Sequence, residues 1–130
     1  MNSKDKKIGF VGVGRMGANM VRNLKDRGYQ ISCVNDLDKE AAAALADEIG
    51  CSHASSLAEV TAQSEIVITV VTNDAAMESI FFGADDNLFQ DASGTLFINC
   101  ATLSPAMHVK LETAATENGS TTLELSLIHI

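Results

Sequence analysis

Residues 8–17 read Ile-Gly-Phe-Val-Gly-Val-Gly-Arg-Met-Gly, a short apolar run that passes directly into three spaced glycines. The run predicts a buried β-strand, and the G-x-G-x-x-G spacing of Gly12, Gly14 and Gly17 predicts the turn that joins such a strand to a helix. Gly12 is expected to permit the tight turn, Gly14 to let the main chain approach a diphosphate, and Gly17 to let the helix pack against the strand. The N–H groups at the start of that helix would face the phosphates. The stretch therefore predicts a dinucleotide-binding turn.

Strand and helix patterns alternate along the rest of the chain. Predicted strands cover residues 8–13, 30–35, 66–71, 96–99 and 120–125; predicted helices cover 16–27, 39–49, 75–82 and 105–119, and a short one begins at the capping box of residues 56–59. This alternation predicts an α/β fold of Rossmann type, a doubly wound parallel sheet covered on both faces. A length of 130 residues fits one domain, which we expect to occupy residues 1–124.

A second binding feature lies at the end of the second predicted strand. Asn35 and Asp36 follow the glycine motif by the ~20 residues at which a carboxylate reads the ribose of a dinucleotide. A carboxylate there would accept hydrogen bonds from the ribose hydroxyls and repel a 2′-phosphate, and no arginine adjoins the pair, although Lys39 is close. The pair therefore favours NAD, with NADP still possible. Asp36 could instead be a helix N-cap or a turn residue, or it could combine such a role with ribose binding.

Composition argues against several other classes of function. The net charge is −8 and only 5% of the residues are aromatic, so a nucleic-acid partner is not expected. No apolar run reaches the ~18 residues of a membrane span, and no signal peptide precedes the first strand, so we expect a cytoplasmic protein with no membrane partner. The histidines and three cysteines are scattered, which predicts reduced thiols and no metal site.

The chain also resembles a known family, the β-hydroxyacid dehydrogenases, which include 3-hydroxyisobutyrate dehydrogenase. The resemblance rests on residues 8–24 with their Met16-Gly17 pair, on the strand of residues 66–72, and on residues 97–105, which are similar to an Asp-x-Ser-Thr-x-x-Pro segment. It departs from the family at Thr72, Asn99 and Ala101, where proline, aspartate and serine are usual.

The resemblance implies how a cofactor would be held. The glycine turn would bind the diphosphate, Asn35 would face the adenosine ribose, Val71 and Thr72 would touch the cofactor through their backbone, and Thr102 would lie near the nicotinamide. Together with the reasoning above, the candidate cofactor-binding residues are Gly12, Val13, Gly14, Arg15, Met16, Gly17, Asn35, Asp36, Val71, Thr72 and Thr102.

The activity implied is hydride transfer between a nicotinamide cofactor, NAD or NADP, and a small 3-hydroxy acid such as 3-hydroxyisobutyrate, in a protein that is a homo-oligomer at full length. The catalytic lysine of the family lies in a later, helical domain, so no catalytic residue is expected here; Lys110 does not match its position. Residues 125–130 match the translation of a transposon-end adapter used in sequencing libraries, which predicts an inactive fragment with a non-native tail. A genuine apolar strand is the alternative for those residues.

Two other functions stay open from the sequence. A relative of 6-phosphogluconate dehydrogenase would share the G-x-G-x-M-G opening of residues 12–17. A stand-alone nucleotide-binding module would use the same turn without performing any chemistry.

Overall fold

A computed structural model describes residues 5–71, 73–101 and 103–125, which form alternating strands and helices. In chain order they are β1 (Lys7–Val11), α1 (Arg15–Asp26), β2 (Gln30–Asn35), α2 (Lys39–Ile49), β3 (Ser52–His53), α3 (Leu57–Gln63), β4 (Ile66–Thr69), α4 (Asp74–Phe82), β5 (Leu96–Cys100), α5 (Pro105–Asn118) and β6 (Thr121–Leu125). The predicted alternation of strand and helix is confirmed.

The six strands form one sheet in the order β3-β2-β1-β4-β5-β6. Every neighbouring pair is parallel. From β1 the chain builds outward through β2 to β3, and it then crosses to the other side of β1 to build β4, β5 and β6. This reversal beside β1 opens a crevice at the carboxyl ends of β1 and β4, which is where ligands bind in open α/β sheets. The predicted Rossmann-type fold is confirmed.

Helices cover the sheet on both faces, each over its own apolar cluster. One cluster joins α1 and α2 to the sheet and includes Phe10, Val21 and Val34. The other joins α3, α4 and α5 to the opposite face and includes Phe81 and Phe97, whose rings meet edge to face with centroids 5.2 Å apart. Burial of apolar side chains on both faces is the main favourable contribution to the stability of such a sheet.

The predicted ends of β1 and β4 are each two residues too late, and they share one cause. Strand β1 was expected to reach Val13 but ends at Val11, because Gly12 takes a φ of +91° and leaves the extended conformation. Val11 pairs with Thr69, so β4 loses its partner on that side after Thr69 and stops two residues before the expected Val71.

Helix α5 begins and ends at residues that are suited to capping. Ser104 caps α5 by accepting a hydrogen bond from Met107 N–H, Pro105 is its first residue, and Gly119 ends it in the left-handed conformation, close to the predicted range of residues 105–119. Strand β3 was not predicted, because two residues are too few to show a periodic pattern. The predicted tail of residues 125–130 lies outside the described residues apart from Leu125, the last residue of β6.

The sequence predicts reduced thiols and no membrane span, and the structure bears on both. Cys33 and Cys100 are buried and Cys51 is half-buried, all three as free thiols, and burial raises the pKa of each. In the part of the chain that the structure describes, no helix combines the length and apolar character that crossing a bilayer requires.

Candidate functional site

The three glycines of the turn after β1 have different surroundings. A Cβ added to Gly12 would lie 2.1 Å from the carbonyl oxygen of Val70, and one added to Gly17 would lie 2.1 Å from the carbonyl oxygen of Gly12. Both distances are far inside van der Waals contact, so these two glycines are required by the fold itself. Among the residues that the structure describes, a Cβ on Gly14 would meet no atom within 4 Å. Packing against these residues therefore does not require a glycine at residue 14.

Helix α1 begins next to this open position. Gly14 is its N-cap and offers no side chain to the first turn, and that turn contains no acidic residue. The partial positive charge at the start of the helix is thus not neutralised by an acidic side chain of its own first turn. An anionic ligand group would be favoured there because backbone N–H groups at a helix start bind phosphate readily.

Asp36 connects the end of β2 to the glycine turn. Its Oδ2 accepts a hydrogen bond of 2.6 Å from Val13 N–H, and its Oδ1 accepts one of 2.9 Å from Asp38 N–H. Asp38, not Asp36, caps α2, through a hydrogen bond from Ala41 N–H. Of the roles considered for Asp36, the helix cap is therefore excluded, while its carboxylate fixes the turn between β2 and α2.

Asn35, the other candidate ribose contact, is also held by the protein. Its side-chain amide donates a hydrogen bond of 3.0 Å to the carbonyl of Ala54, and its own carbonyl accepts one from Gly12 N–H. Residues 35 and 36 therefore brace the glycine turn from the side of β2.

A cleft of about 500 Å³ runs along the carboxyl ends of β1, β2 and β4. Its lining residues come from the glycine turn, from the ends of β2 and β4, from the start of α3, and from α4 and the segment after it. They are Val11, Gly12, Gly14, Asn35, Asp36, Leu37, Lys39, Ser55, Ser56, Leu57, Val70, Val71, Ala76, Ser79, Ile80 and Asp86. One side of the cleft thus offers open main chain, and the other offers mostly apolar and hydroxyl side chains.

The structure places only part of the predicted site in this cleft. Gly12, Gly14, Asn35, Asp36 and Val71 line it. Two other predicted residues, Val13 and Gly17, are buried beside the cleft and shape the glycine turn. Val13 N–H donates a hydrogen bond to Asp36, and Gly17 packs against the backbone of Gly12.

Arg15 and Met16 lie on a different surface. They are exposed on α1 and line a shallow depression of about 470 Å³ with Asn19, Met20 and Asn23. Neither residue is among those that line the cleft. The predicted contacts at residues 72 and 102 lie outside the described residues.

Sequence reasoning missed the wall of the cleft opposite the glycine turn. Leu57, Ile80 and Asp86 belong to this wall. Asp86 Oδ2 accepts 2.7 Å from Leu57 N–H and its Oδ1 accepts 2.9 Å from Ala58 N–H. Nothing local in the sequence indicates this contact, because the partners are 29 and 28 residues apart.

A row of buried polar side chains crosses the sheet close to the strand ends. Thr69, Asn99 and Glu124 are register partners on β4, β5 and β6. Thr69 Oγ1 donates to Asn99 Oδ1 at 2.7 Å, and Asn99 Nδ2 donates to Glu124 Oε1 at 3.4 Å. Glu124 Oε2 lies 3.7 Å from His108 Nδ1 of α5. The row links the ends of three strands through side chains as well as backbone.

Glu124 is the partly exposed member of this row, whereas Thr69 and Asn99 are fully buried. Burial raises its pKa above the usual value, and Glu112 acts in the same direction. The hydrogen bond from Asn99, the charge of His108 and a hydrogen bond from Thr122 lower it, without reversing the net rise. The ionised form of Glu124 is therefore less favoured in the folded chain than in water.

The donor set of the cleft fits a dinucleotide better than a metal ion. Gly14 and the start of α1 fit a diphosphate, Asp36 fits a ribose, and the apolar wall with Leu57 and Ile80 fits a flat base. Across residues 5–71, 73–101 and 103–125, no three His, Cys, Asp or Glu side chains gather as a metal would need.

Comparison with known proteins agrees with this geometry. The chain is 34% identical over 119 residues to an NAD-dependent L-serine dehydrogenase of Pseudomonas aeruginosa, covering 92% of the chain and 39% of that protein. It is 32% identical over 117 residues to a 3-hydroxyisobutyrate dehydrogenase of the same species, covering 90% of the chain and 39% of that protein. The chain thus spans about two fifths of the length of these relatives. The resemblance to the β-hydroxyacid dehydrogenases is confirmed.

The chain is also similar to a solved structure and matches one protein family. The structure of an imine reductase from Myxococcus stipitatus in complex with NAD+ superposes with a TM-score of 0.78 at 22% identity, covering 93% of the chain and 39% of that protein, which supports the fold alone. The family profile described as the NAD binding domain of 6-phosphogluconate dehydrogenase matches residues 7–126. Since that match takes in nearly the whole chain, the chain belongs to this family of NAD-binding domains.

Proposed function

We propose that the chain is the cofactor-binding part of an oxidoreductase that transfers hydride between NAD and a small 3-hydroxy acid such as 3-hydroxyisobutyrate. The bound nicotinamide would supply the hydride acceptor or donor. The residues of this chain would bind and orient the cofactor, with the diphosphate on the glycine turn and the start of α1.

The contrast among the three glycines carries the proposal. Gly12 and Gly17 are explained by close contacts inside the protein, whereas Gly14 faces open space at the start of a helix. A residue without a Cβ is useful there if a ligand comes within contact distance of the main chain. Backbone N–H groups of Arg15 and Met16, the next two residues, are our candidates for the diphosphate contacts.

Asp36 supports the preference for NAD over NADP. Its carboxylate lines the cleft and is fixed by two backbone N–H groups, so it cannot easily turn away from an added 2′-phosphate. Lys39 lines the same cleft and supplies a positive charge, so NADP is weakened rather than abolished. We expect the chain to bind NADH more tightly than NADPH.

The two named relatives support the proposed substrate class. A serine dehydrogenase and a 3-hydroxyisobutyrate dehydrogenase are both similar to this chain over about nine tenths of its length. Serine and 3-hydroxyisobutyrate are both small acids with a hydroxyl group on carbon 3. A small 3-hydroxy acid is therefore the substrate class that we propose for the whole protein.

We expect the 130-residue chain alone to turn over no substrate. The resemblance puts the catalytic lysine on a later helix, and Lys110 is engaged on the surface: its Nζ lies 2.6 Å from Glu78 Oε2 and 4.4 Å from the centre of the Phe82 ring. The test is NADH formation from NAD and 3-hydroxyisobutyrate, read at 340 nm, with the chain first shown to bind NADH. Turnover well above a protein-free control would contradict this expectation.

A relative of 6-phosphogluconate dehydrogenase is the second candidate, because the matching family carries that description. The same assay on the full-length protein distinguishes the two if 6-phosphogluconate is included as a substrate. Oxidation of 6-phosphogluconate, without oxidation of 3-hydroxyisobutyrate, would favour this second function.

A further inference from the structure

We propose that Asp86 reads the base of the cofactor, by accepting a hydrogen bond from the 6-amino group of adenine. The proposal rests on the proposed function, because it assumes that the cleft holds a dinucleotide. It adds a specificity-determining residue on the wall opposite the glycine turn.

The position of the base follows from the two ends of the cleft. The diphosphate is assigned to the open main chain at Gly14, and the ribose to Asp36 at the end of β2. The part of the cleft that remains is lined by Leu57, Ala76 and Ile80, which are apolar side chains suited to the faces of a flat ring. A base lying there would direct its polar edge toward the polar residues of the same wall.

Asp86 is the carboxylate of that wall, and the protein holds it in one orientation. Each of its oxygens accepts one backbone N–H of α3, from Leu57 at 2.7 Å and from Ala58 at 2.9 Å. Leu57 also lines the cleft, so the contact places the carboxylate beside the apolar surface assigned to the base. A side chain that is fixed in this way can bind a ligand without losing further conformational entropy.

The chemistry of an ionised carboxylate makes Asp86 selective. It accepts hydrogen bonds only, and its two oxygens have about four acceptor sites, of which the α3 backbone uses two. The 6-amino group of adenine is a donor and would match a remaining site. The 6-oxo group of hypoxanthine is an acceptor and would leave two acceptors facing each other.

The other polar residues of the wall do not give this selectivity. Ser56 and Ser79 line the cleft, but a hydroxyl donates as readily as it accepts and would tolerate either base. The Ser55 hydroxyl also lines the cleft and donates to Glu59 Oε2 at 2.8 Å, an exposed contact that it can exchange for a ligand. Lys39 donates only, and it lies in the first turn of α2, directly after the Asp36 turn assigned to the ribose. Discrimination between an amino and an oxo group at position 6 therefore depends on Asp86.

The experiment compares NADH with its hypoxanthine analogue, reduced nicotinamide hypoxanthine dinucleotide. Both are fluorescent, so each is titrated directly with the wild-type chain, with Asp86→Asn and with Asp85→Asn. Asp85 is the matched control, because it is the exposed neighbouring carboxylate and is not part of the cleft lining. The measured quantity is the ratio of the two dissociation constants in each protein, which a loss of packing alone would leave unchanged.

We expect the wild-type chain to bind NADH at least about tenfold more tightly than the analogue, since a polar group left unpaired in the complex weakens binding. Asp86→Asn should reduce that ratio to about threefold or less, because the amide can donate to the oxo group, and Asp85→Asn should keep the wild-type ratio. A wild-type ratio near one overturns the proposal without any variant. A ratio that is equal in all three proteins also overturns it.

The outcomes separate this inference from the function beneath it. If the wild-type chain is folded and binds neither NADH nor the analogue, the proposed function fails and the role of Asp86 fails with it. If NADH binds and only the ratio is unaffected by Asp86→Asn, the proposed function stands and the inference alone is wrong.

Discussion

Asp36 serves the fold and the proposed site with one carboxylate. Its two oxygens accept hydrogen bonds from Val13 and Asp38 N–H groups, which ties the glycine turn to the end of β2. Replacing the carboxylate by an amide keeps an oxygen acceptor for one of these donors and removes the negative charge. Asp36→Asn is therefore a test of charge more than of structure.

We expect Asp36→Asn to lower the preference for NADH over NADPH by about tenfold, which corresponds to ~1.4 kcal/mol. The 2′-phosphate would no longer meet a carboxylate, and Lys39 lines the same cleft to attract it. Titration of both cofactors by fluorescence measures the change.

Asp38→Asn is the control for that experiment. It removes the same charge two residues away, from a side chain that caps α2 but does not line the cleft, and asparagine is an equally good N-cap. An identical change of preference in both variants would mean that general charge, and not the position of Asp36, decides the selectivity.

At the scale of elements, the polar row across β4, β5 and β6 makes the pairing of these strands specific. Thr69, Asn99 and Glu124 meet only in the observed register, because a shift by one residue would turn each side chain to the other face. Within this row, the ionised form of Glu124 lowers the stability of the fold, because burial disfavours the charge and raises the pKa. A group whose pKa is raised on folding stabilises the fold below its unfolded pKa, and this contribution is lost as the pH rises through the folded pKa.

We therefore predict that Glu124→Gln changes how stability depends on pH. As the pH rises from about 4, near the ordinary glutamate pKa of ~4.3, toward about 7, the melting temperature of the wild-type chain should fall relative to that of Glu124→Gln. Thermal unfolding followed by circular dichroism at several pH values measures the difference. Glu117→Gln, an exposed position on α5, is the control. A constant difference between the wild-type chain and Glu124→Gln across this range would contradict the prediction.

The same elements show which parts of the structure the sequence could predict. The turn from β1 to α1 was predicted because its signals are local: an apolar run, three spaced glycines and a following helical pattern. Asn99 was recognised only as a departure from a family pattern, since its partner Glu124 lies 25 residues further along the chain. Asp86 gave no signal at all, because its role depends on the N–H groups of a helix that precedes it by almost 30 residues.

At the scale of the whole molecule, topology brings the cleft together. The reversal of strand order beside β1 places the ends of β2 and β4 on either side of the glycine turn. Helix α3 and the segment after α4 then form the opposite wall. The fold class followed from the alternation of elements, but the wall required the connections from β3 to β4 and from β4 to β5 to lie side by side, which a periodic pattern does not specify.

The central claim is that Gly14 is kept free of a side chain for a dinucleotide, and titration of NADH into the wild-type chain and Gly14→Ala by calorimetry tests it most directly. Gly14 has a φ of −54°, and no atom of the described residues lies within 4 Å of an added Cβ, so the variant should stay folded with only the small loss of melting temperature that alanine causes at an N-cap. We predict saturable NADH binding by the wild-type chain and an affinity at least about tenfold weaker, ~1.4 kcal/mol, in Gly14→Ala. Equal affinity of the two folded proteins, or no NADH binding by the wild-type chain, would contradict the account.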